Sequence, residues 1–222
     1  MMGLPRPAAV ICDLDGTLVD TVPTRITAWL RTFEEFVLPA DSGHVASLIG
    51  SDGKWLAEQV AARASRASHA LSPADAEAID RRAGEIYGEL NTAPRLLPGV
   101  AVFLSALNAA GVKWAIATSS RPAQVGVSVA ALGLAQPPVI VDGQAVSRAK
   151  PAPDLLLAAA AALGTAPHGC WCVGDSRWDV QAAIAAHMMP VGVTTGSATA
   201  EELSADGAMA VVDRLDRLVS AL

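Results

Sequence analysis

Cysteine is scarce in this 222-residue chain: Cys12, Cys170 and Cys172 are the only three. An odd count without framework spacing excludes a disulfide scaffold and points to reduced, buried thiols. Cys170 and Cys172 would share one side of an extended strand, yet a lone C-x-C without two further ligands is not a zinc site. Basic charge is scarce too. Sixteen Lys and Arg against 22 Asp and Glu leave a net charge of −6, which excludes the basic face that a nucleic-acid footprint needs. No apolar run reaches membrane-spanning length, since the alanine-rich LLLAAAAALG is too short and stops at Gly164. No basic-plus-apolar leader opens the sequence, and no repeat or low-complexity linker interrupts it. The expectation is a soluble, cytoplasmic protein with neither nucleic acid nor membrane as partner.

What is present is material for a core. Hydrophobic residues make up 52% and charged residues 17%, which fits one sizeable domain or a main domain with a smaller insert. AAVICD (8–13), VKWAIATS (112–119), PPVIV (137–141), CWCVGD (170–175) and PVGVTT (190–195) read as short apolar strands of the kind covered on both faces. Helical stretches alternate with the later strands; GVAVFLSALNAAG stops at Gly111 and PDLLLAAAAALG at Gly164. Alternating β and α implies a parallel sheet with right-handed crossovers. Residues 21–95 break the rhythm with helical segments alone, the last opening on Ser72, Pro73 and Asp75 as cap, first-turn proline and first-turn acid. The predicted fold is therefore α/β, a Rossmann-like parallel-sheet core (1–20 and 96–222) with an α-helical cap domain (21–95) inserted after the first strand. Such a cap would lie over the carboxyl ends of the strands, where open parallel sheets bind ligands.

Asp13 and Asp15 crowd the tip of the first strand, and like charges that close need an answering cation or donor. Three later stretches project to the same edge. AIATSS brings Thr118, Ser119 and Ser120, AKPAPD brings Lys150, and CVGDSRWD brings Asp175 and Asp179. Several carboxylates, one ammonium and one or two hydroxyls suit phosphoryl transfer. Carboxylates around one point attract Mg²⁺, which takes oxygen ligands, while lysine and a hydroxyl meet the charge on the equatorial phosphoryl oxygens. An aspartate is already ionised at neutral pH and can attack phosphorus, and a second carboxyl can protonate the leaving alkoxide and later activate water.

DLDGTLVD, AIATSS, AKPAPD and GDSRWDVQAAIAA, in that order, resemble the four motifs of the haloacid dehalogenase-like hydrolase superfamily. The stretch after the first motif is similar to the helical cap of the phosphoglycolate phosphatase and β-phosphoglucomutase branch. The resemblance implies that Asp13 is the nucleophile, Asp15 the acid/base, Thr118 a phosphate ligand and Lys150 a group that steadies both nucleophile and phosphate. It implies that Asp175 binds Mg²⁺ with the Asp13 side chain and the Asp15 main-chain carbonyl, and that Asp179 supports the metal from behind these ligands. Gly16, Thr118, Ser119, Lys150 and Lys54 are candidates for contact with substrate. The implied partner is a small phosphorylated metabolite, of the phosphoglycolate or sugar phosphate type, met by a monomer or homodimer. The sequence departs from the family pattern at Cys12, where phenylalanine is usual, at Ala149 before the lysine, and at His187, where many relatives carry glycine.

Bland readings stand beside these. A lone D-x-D-G is often a turn, K-P-A-P a stiff loop, and Asp175 with Asp179 a helix cap and first-turn acid. Lys54 reads equally well as a solvated helix lysine, Trp55 as core, and Arg121 as an exposed helix-start arginine. His44, His69, His168 and His187 have no ligand spacing and are assigned no chemistry. Two rivals to a phosphatase remain. A phosphomutase uses the same two aspartates, but the mutases of this branch tend to carry Glu-Asp where this chain has Gly174 and Asp175. A non-catalytic phosphometabolite-binding protein would be expected to have lost the nucleophile or the metal carboxylate.

Overall fold

The structure, a computed structural model, describes residues 4–64 and 71–222. His69, assigned no chemistry above, lies outside the described residues, as do residues 1–3 of the predicted core and 65–70 of the predicted cap. Six parallel strands form one sheet: β1 (Ala9–Cys12), β2 (Lys113–Ala117), β3 (Val139–Val141), β4 (Cys170–Gly174), β5 (Met189–Val193) and β6 (Ala210–Val212), in the order β3-β2-β1-β4-β5-β6. Chain order reverses at β1, whose neighbours are β2 and β4, and a crevice opens at the carboxyl end of such a switch point. Strand β6 was not foreseen from the sequence; it has three residues and pairs only with β5, too short for a hydrophobic run to announce it.

Alternation along β1 sends Val10 and Cys12 to one face of the sheet and Ala9 and Ile11 to the other, where two separate apolar clusters receive them. Phe103, Leu107 and Trp171 fill the first, and Leu155, Ala159, Cys170 and Cys172 belong to the second. All three cysteines are free and buried. Helices α5 (Val100–Ala109), α6 (Pro122–Ala131), α7 (Asp154–Leu163), α8 (Arg177–Ala185) and α9 (Ala200–Ala205) are the connections. Gly164 ends α7 at φ +64°, a left-handed cap that glycine adopts without steric penalty. His187 takes φ +56°, a left-handed conformation that glycine would adopt at less cost.

Four helices lie between β1 and α5: α1 (Val22–Glu35), α2 (Ser42–Leu48), α3 (Gly53–Ala64) and α4 (Pro73–Leu90). The Ser72 hydroxyl accepts from the Asp75 amide, so the predicted cap of α4 is formed, while α2 is a seven-residue helix with too little pattern to be read. These helices have a core of their own, in which Phe33, Leu56 and Ile79 are fully buried and Trp29 stacks on Phe33 at 5.5 Å. Trp178 of α8 packs against that core and meets Trp55 edge-on at 5.0 Å, joining the helices to the sheet side. No helix among the described residues is long and apolar enough to cross a membrane.

Candidate active site

The carboxyl edge of the sheet gathers the acidic residues of the sequence motifs. Asp13 follows β1 directly, its amide bonded to the Val173 carbonyl of β4 at 2.8 Å, and Asp175 follows β4. One oxygen each from Asp13, Asp175 and Asp179 lies within 4.8 Å of the others, and all three residues are buried. Lys150 is 1% exposed although it is a lysine, and its ammonium donates to Asp13 Oδ1 at 2.6 Å and to the Ala117 carbonyl at 2.7 Å. The same ammonium is 2.7 Å from Asp179 Oδ1, out of line for a hydrogen bond. Asp179 Oδ2 accepts from the Ser176 amide and hydroxyl, closing a capping box that holds the first turn of α8. Asp175 accepts from Thr17 Oγ1 at 2.9 Å and from the Ser197 amide at 2.8 Å.

Glycines make the room these carboxylates occupy. A Cβ on Gly16, Gly174 or Gly196 would run into the side chain of Asp175 or Asp179. Gly16 also has φ +85°, and its amide donates to the Val19 carbonyl at 2.8 Å, so it shapes the turn and presents no donor toward a substrate.

Four buried carboxylates, Asp13, Asp15, Asp175 and Asp179, face two cations, the buried Lys150 and the partly buried Arg25, which leaves two formal negative charges to be met. Burial pushes the Asp13 carboxyl well above its usual range; Lys150 opposes this, and Asp179, Asp175 and Asp15 add to it. Burial and then the charge of Asp179 raise Asp175 to about 7. Burial alone would lower the Lys150 ammonium, but Asp13 and Asp179 more than reverse that and keep it charged. A cluster of hard oxygen donors with two uncompensated negative charges fits Mg²⁺ in donor type and in charge.

Asp15 differs from its neighbours. Its Oδ1 accepts from Thr21 Oγ1 at 2.6 Å and Tyr87 Oη at 3.0 Å, and its Oδ2 from Arg25 Nη2 at 2.8 Å and Ser120 Oγ at 2.9 Å. Burial would raise its pKa, but the Arg25 charge and the bonds from Arg25, Thr21 and Ser120 hold it below the usual carboxylate range. Arg25 and Tyr87 were missed in the sequence, where a helix arginine reads as solvated and a helix tyrosine as core.

Other expected contacts are placed unequally. Thr118 is buried beside Asp13, and its Oγ1 accepts from the Ser120 amide at 3.1 Å. Ser119 donates to the Gly50 carbonyl at 3.1 Å and so ties the sheet edge to the loop before α3. A cavity of about 50 Å³ between sheet and helices is lined by Asp13, Asp15, Arg25, Asp80, Thr118 and Arg121, among others. Arg121 is not the exposed helix-start arginine expected: it pairs with Glu77 at 2.8 Å and with Asp80, both on α4. Lys54 is not brought to this cavity. Its half-exposed ammonium is 3.9 Å from Glu77 and borders a separate groove of about 930 Å³, shared with Glu58 and Arg148.

Comparison with known proteins places these residues among relatives. A family model described as haloacid dehalogenase-like hydrolase matches residues 7–187. The phosphoglycolate phosphatase of Escherichia coli (strain K12) is 33% identical over 233 residues, covering 96% of this chain and 91% of that protein. A hydrolase from Pseudomonas syringae superposes with a TM-score of 0.88 at 30% identity, over 96% of each chain. A putative β-phosphoglucomutase from Bacteroides vulgatus superposes with a TM-score of 0.85 over 99% of this chain and 88% of that one; at 21% identity it shares the fold.

Proposed function

The chain belongs to the haloacid dehalogenase-like hydrolases, and from that premise we propose that it is a Mg²⁺-dependent phosphatase that hydrolyses a small phosphorylated metabolite through an aspartyl-phosphate. The observation that carries this reading is the difference between Asp13 and Asp15. Asp13 has one oxygen fixed by Lys150, while its other oxygen takes no side-chain hydrogen bond among the described residues. Asp15 has both oxygens held by donors. The first arrangement suits a nucleophile, the second a group that must be aimed.

In the first step the open oxygen of Asp13 attacks phosphorus and the bond from phosphorus to the ester oxygen breaks; Asp15, ionised in the free protein, takes up a proton as the phosphate monoanion of the substrate binds and passes it to the departing alkoxide. Asp15 then takes a proton from water, whose oxygen attacks the phosphoaspartate; inorganic phosphate leaves and Asp13 is regenerated. Lys150 holds Asp13 and, with the Thr118 hydroxyl, meets charge on the phosphoryl oxygens. The bound metal would be held by Asp13, Asp175 and the Asp15 main-chain carbonyl, with Asp179 supporting, and would supply the positive charge that lets a carboxylate approach a phosphate dianion. Helices α1 to α4 serve as a cap over the reaction, seated on the sheet edge by Trp55 on Trp178 and by Arg121 on Glu77 and Asp80.

A mutase reading is disfavoured by Gly174. Any side chain there would displace the Asp179 carboxylate, so the acidic residue typical of mutases has no room beside this cluster. The relatives named phosphoglycolate phosphatase support phosphoglycolate as a first substrate to assay. The test is phosphate release with Mg²⁺ from phosphoglycolate and a sugar phosphate panel, run beside an isomerisation assay primed with a bisphosphate. Steady release in wild type, lost in Asp13→Asn, supports the reading. Isomerisation without net release would replace it with the mutase.

A further inference from the structure

Two arginines line the cavity that holds Asp13 and Asp15, and both are already engaged. Arg25 donates to Asp15 Oδ2 at 2.8 Å, to Ser120 Oγ at 2.6 Å and to Gln124 Oε1 at 2.7 Å. Arg121, at the N-cap position of α6, turns each of its three guanidinium nitrogens to a carboxylate of α4. Its Nε donates to Asp80 Oδ2 at 2.9 Å, Nη2 donates to the same oxygen, and Nη1 lies 2.8 Å from Glu77 Oε1. One positive charge therefore faces two negative ones. Lys54, half exposed and 3.9 Å from Glu77, stands outside the cavity. The hydroxyls are committed too, Ser119 to the Gly50 carbonyl and Ser120 to Asp15. Asp80 differs from all of these. It lines the cavity, and its Oδ1 takes no hydrogen bond among the described residues. That oxygen has room because residue 53 is glycine; a Cβ there would run into it.

We propose that Asp80 is a specificity-determining residue that selects phosphate monoesters with a short, uncharged, hydroxyl-bearing tail and rejects those whose tail carries a second negative charge. This rests on the phosphatase reading above and names its substrate class. Lys150 and the metal serve the phosphoryl group, so the tail is left to the Asp80 end of the cavity. An anionic tail there meets an open carboxylate oxygen and two arginines already paired, and a charge buried without a partner is costly. A hydroxyl instead donates its proton to Asp80 Oδ1 in a charge-assisted bond. The cavity of about 50 Å³ is the size of a few waters, which suits a tail of few carbons.

The experiment measures kcat/KM with Mg²⁺ on three matched monoesters. These are 2-hydroxyethyl phosphate, phosphoglycolate, which has a carboxylate in place of the hydroxymethyl group, and ethyl phosphate, which has a methyl there. Wild type is expected to favour 2-hydroxyethyl phosphate over each of the others by about 10-fold or more. Asp80→Asn keeps shape and acceptor but removes the charge. It should gain about 10-fold on phosphoglycolate and lose less than about fivefold on 2-hydroxyethyl phosphate. Asp80→Ala removes the acceptor as well, and should lose about 10-fold more on 2-hydroxyethyl phosphate than on ethyl phosphate. Glu77→Gln leaves Asp80 in place and frees one side of Arg121, so it should gain a few-fold on phosphoglycolate alone; being half exposed, it carries the test if the Asp80 variants do not fold. Asp80 and Glu77 also help to seat the helices, but loss of a brace lowers all three esters by one factor and leaves their ratios unmoved.

Equal changes on all three esters would therefore overturn the proposal. So would a wild type that takes phosphoglycolate as well as 2-hydroxyethyl phosphate, because Arg121 must then leave Asp80 for the substrate. Hydrolysis of p-nitrophenyl phosphate that Asp13→Asn abolishes, with none of the three alkyl esters touched, would sink this inference and spare the phosphatase reading. If wild type releases phosphate from none of the four, the phosphatase reading fails with it.

Discussion

The sheet edge and the helices above it place side chains by different rules. At the edge, Asp13, Thr118 and Asp175 each stand where an apolar strand ends, so backbone hydrogen bonding fixes them before any side chain is considered. In the helices, Arg25 stands in the first turn of α1 and Tyr87 in the last turn of α4, on faces that also carry core residues, and only the packing of α1 on α4 brings them together at Asp15. A strand end gives a functional residue an address; a helix face gives it a neighbour. The expectation is that changes at the edge abolish chemistry with the fold intact, whereas changes in the helices act first on how well they stay seated.

The largest effect should come from Asp13→Asn. Loss of a covalent nucleophile lowers turnover by about 10⁴-fold or more. Asn removes one of several like charges from a buried cluster in which burial already drives the carboxyl toward its neutral form, and Lys150 keeps Asp179 as a partner. The thermal midpoint of the metal-free variant should therefore equal or exceed that of wild type. A folded variant with a tenth of wild-type release would refute the covalent route.

Phe33→Ala tests the other side of the comparison. Phe33 is fully buried and stacked on Trp29 in the core of the helices, separate from the two clusters on the sheet, and its truncation should cost about 3–5 kcal/mol. Amide exchange should quicken in α1 and α4 and stay slow in β1 and β4. Equal acceleration in sheet and helices would mean that the two regions open as one cooperative unit.

The strand-end address also explains what could be read from sequence. Asp13, Lys150, Asp175 and Asp179 come together, and Asp13, Asp15 and Thr118 line one cavity, because the aspartates and the threonine follow hydrophobic runs closely and Lys150 opens a loop stiffened by Pro151 and Pro153. The partners of Asp15 were not legible. Ser120 and Tyr87 are 105 and 72 residues away, and nothing local marks Arg25 as facing inward. Ser119 was read as a substrate contact, but a hydroxyl at a strand end can equally serve a passing carbonyl, here that of Gly50.

Metal removal and pH sharpen the edge further. In the metal-free fold burial and Asp179 raise Asp175 to about 7, far above the ordinary aspartate value of about 4. Between those two values the folded state holds a proton that the unfolded state has released, so this group makes the metal-free protein less stable as pH rises, levelling off above about 7. Mg²⁺ needs the carboxylate and must displace that proton below pH 7. Through Asp175 its apparent affinity should rise by up to about tenfold between pH 6 and 7. Titrations of thermal midpoint against Mg²⁺ at several pH values would show it; a midpoint shift constant from pH 5.5 to 8 would contradict it.

The smallest effect should be Lys54→Ala, the one helix residue that the sequence nominated for substrate. Its ammonium is half exposed, lies 3.9 Å from an equally exposed Glu77, and faces a groove outside the reacting cavity. An exposed pair of that length contributes less than about 1 kcal/mol and is screened by salt. Both kcat and KM should stay within about twofold of wild type on every substrate in the panel. A tenfold rise in KM would mean that Lys54 swings into the cavity when substrate enters, and that the helices reseat in a different register from the one seen. In that case helix addresses change during turnover while strand addresses do not, and the contrast between the two regions would be one of motion as well as of legibility.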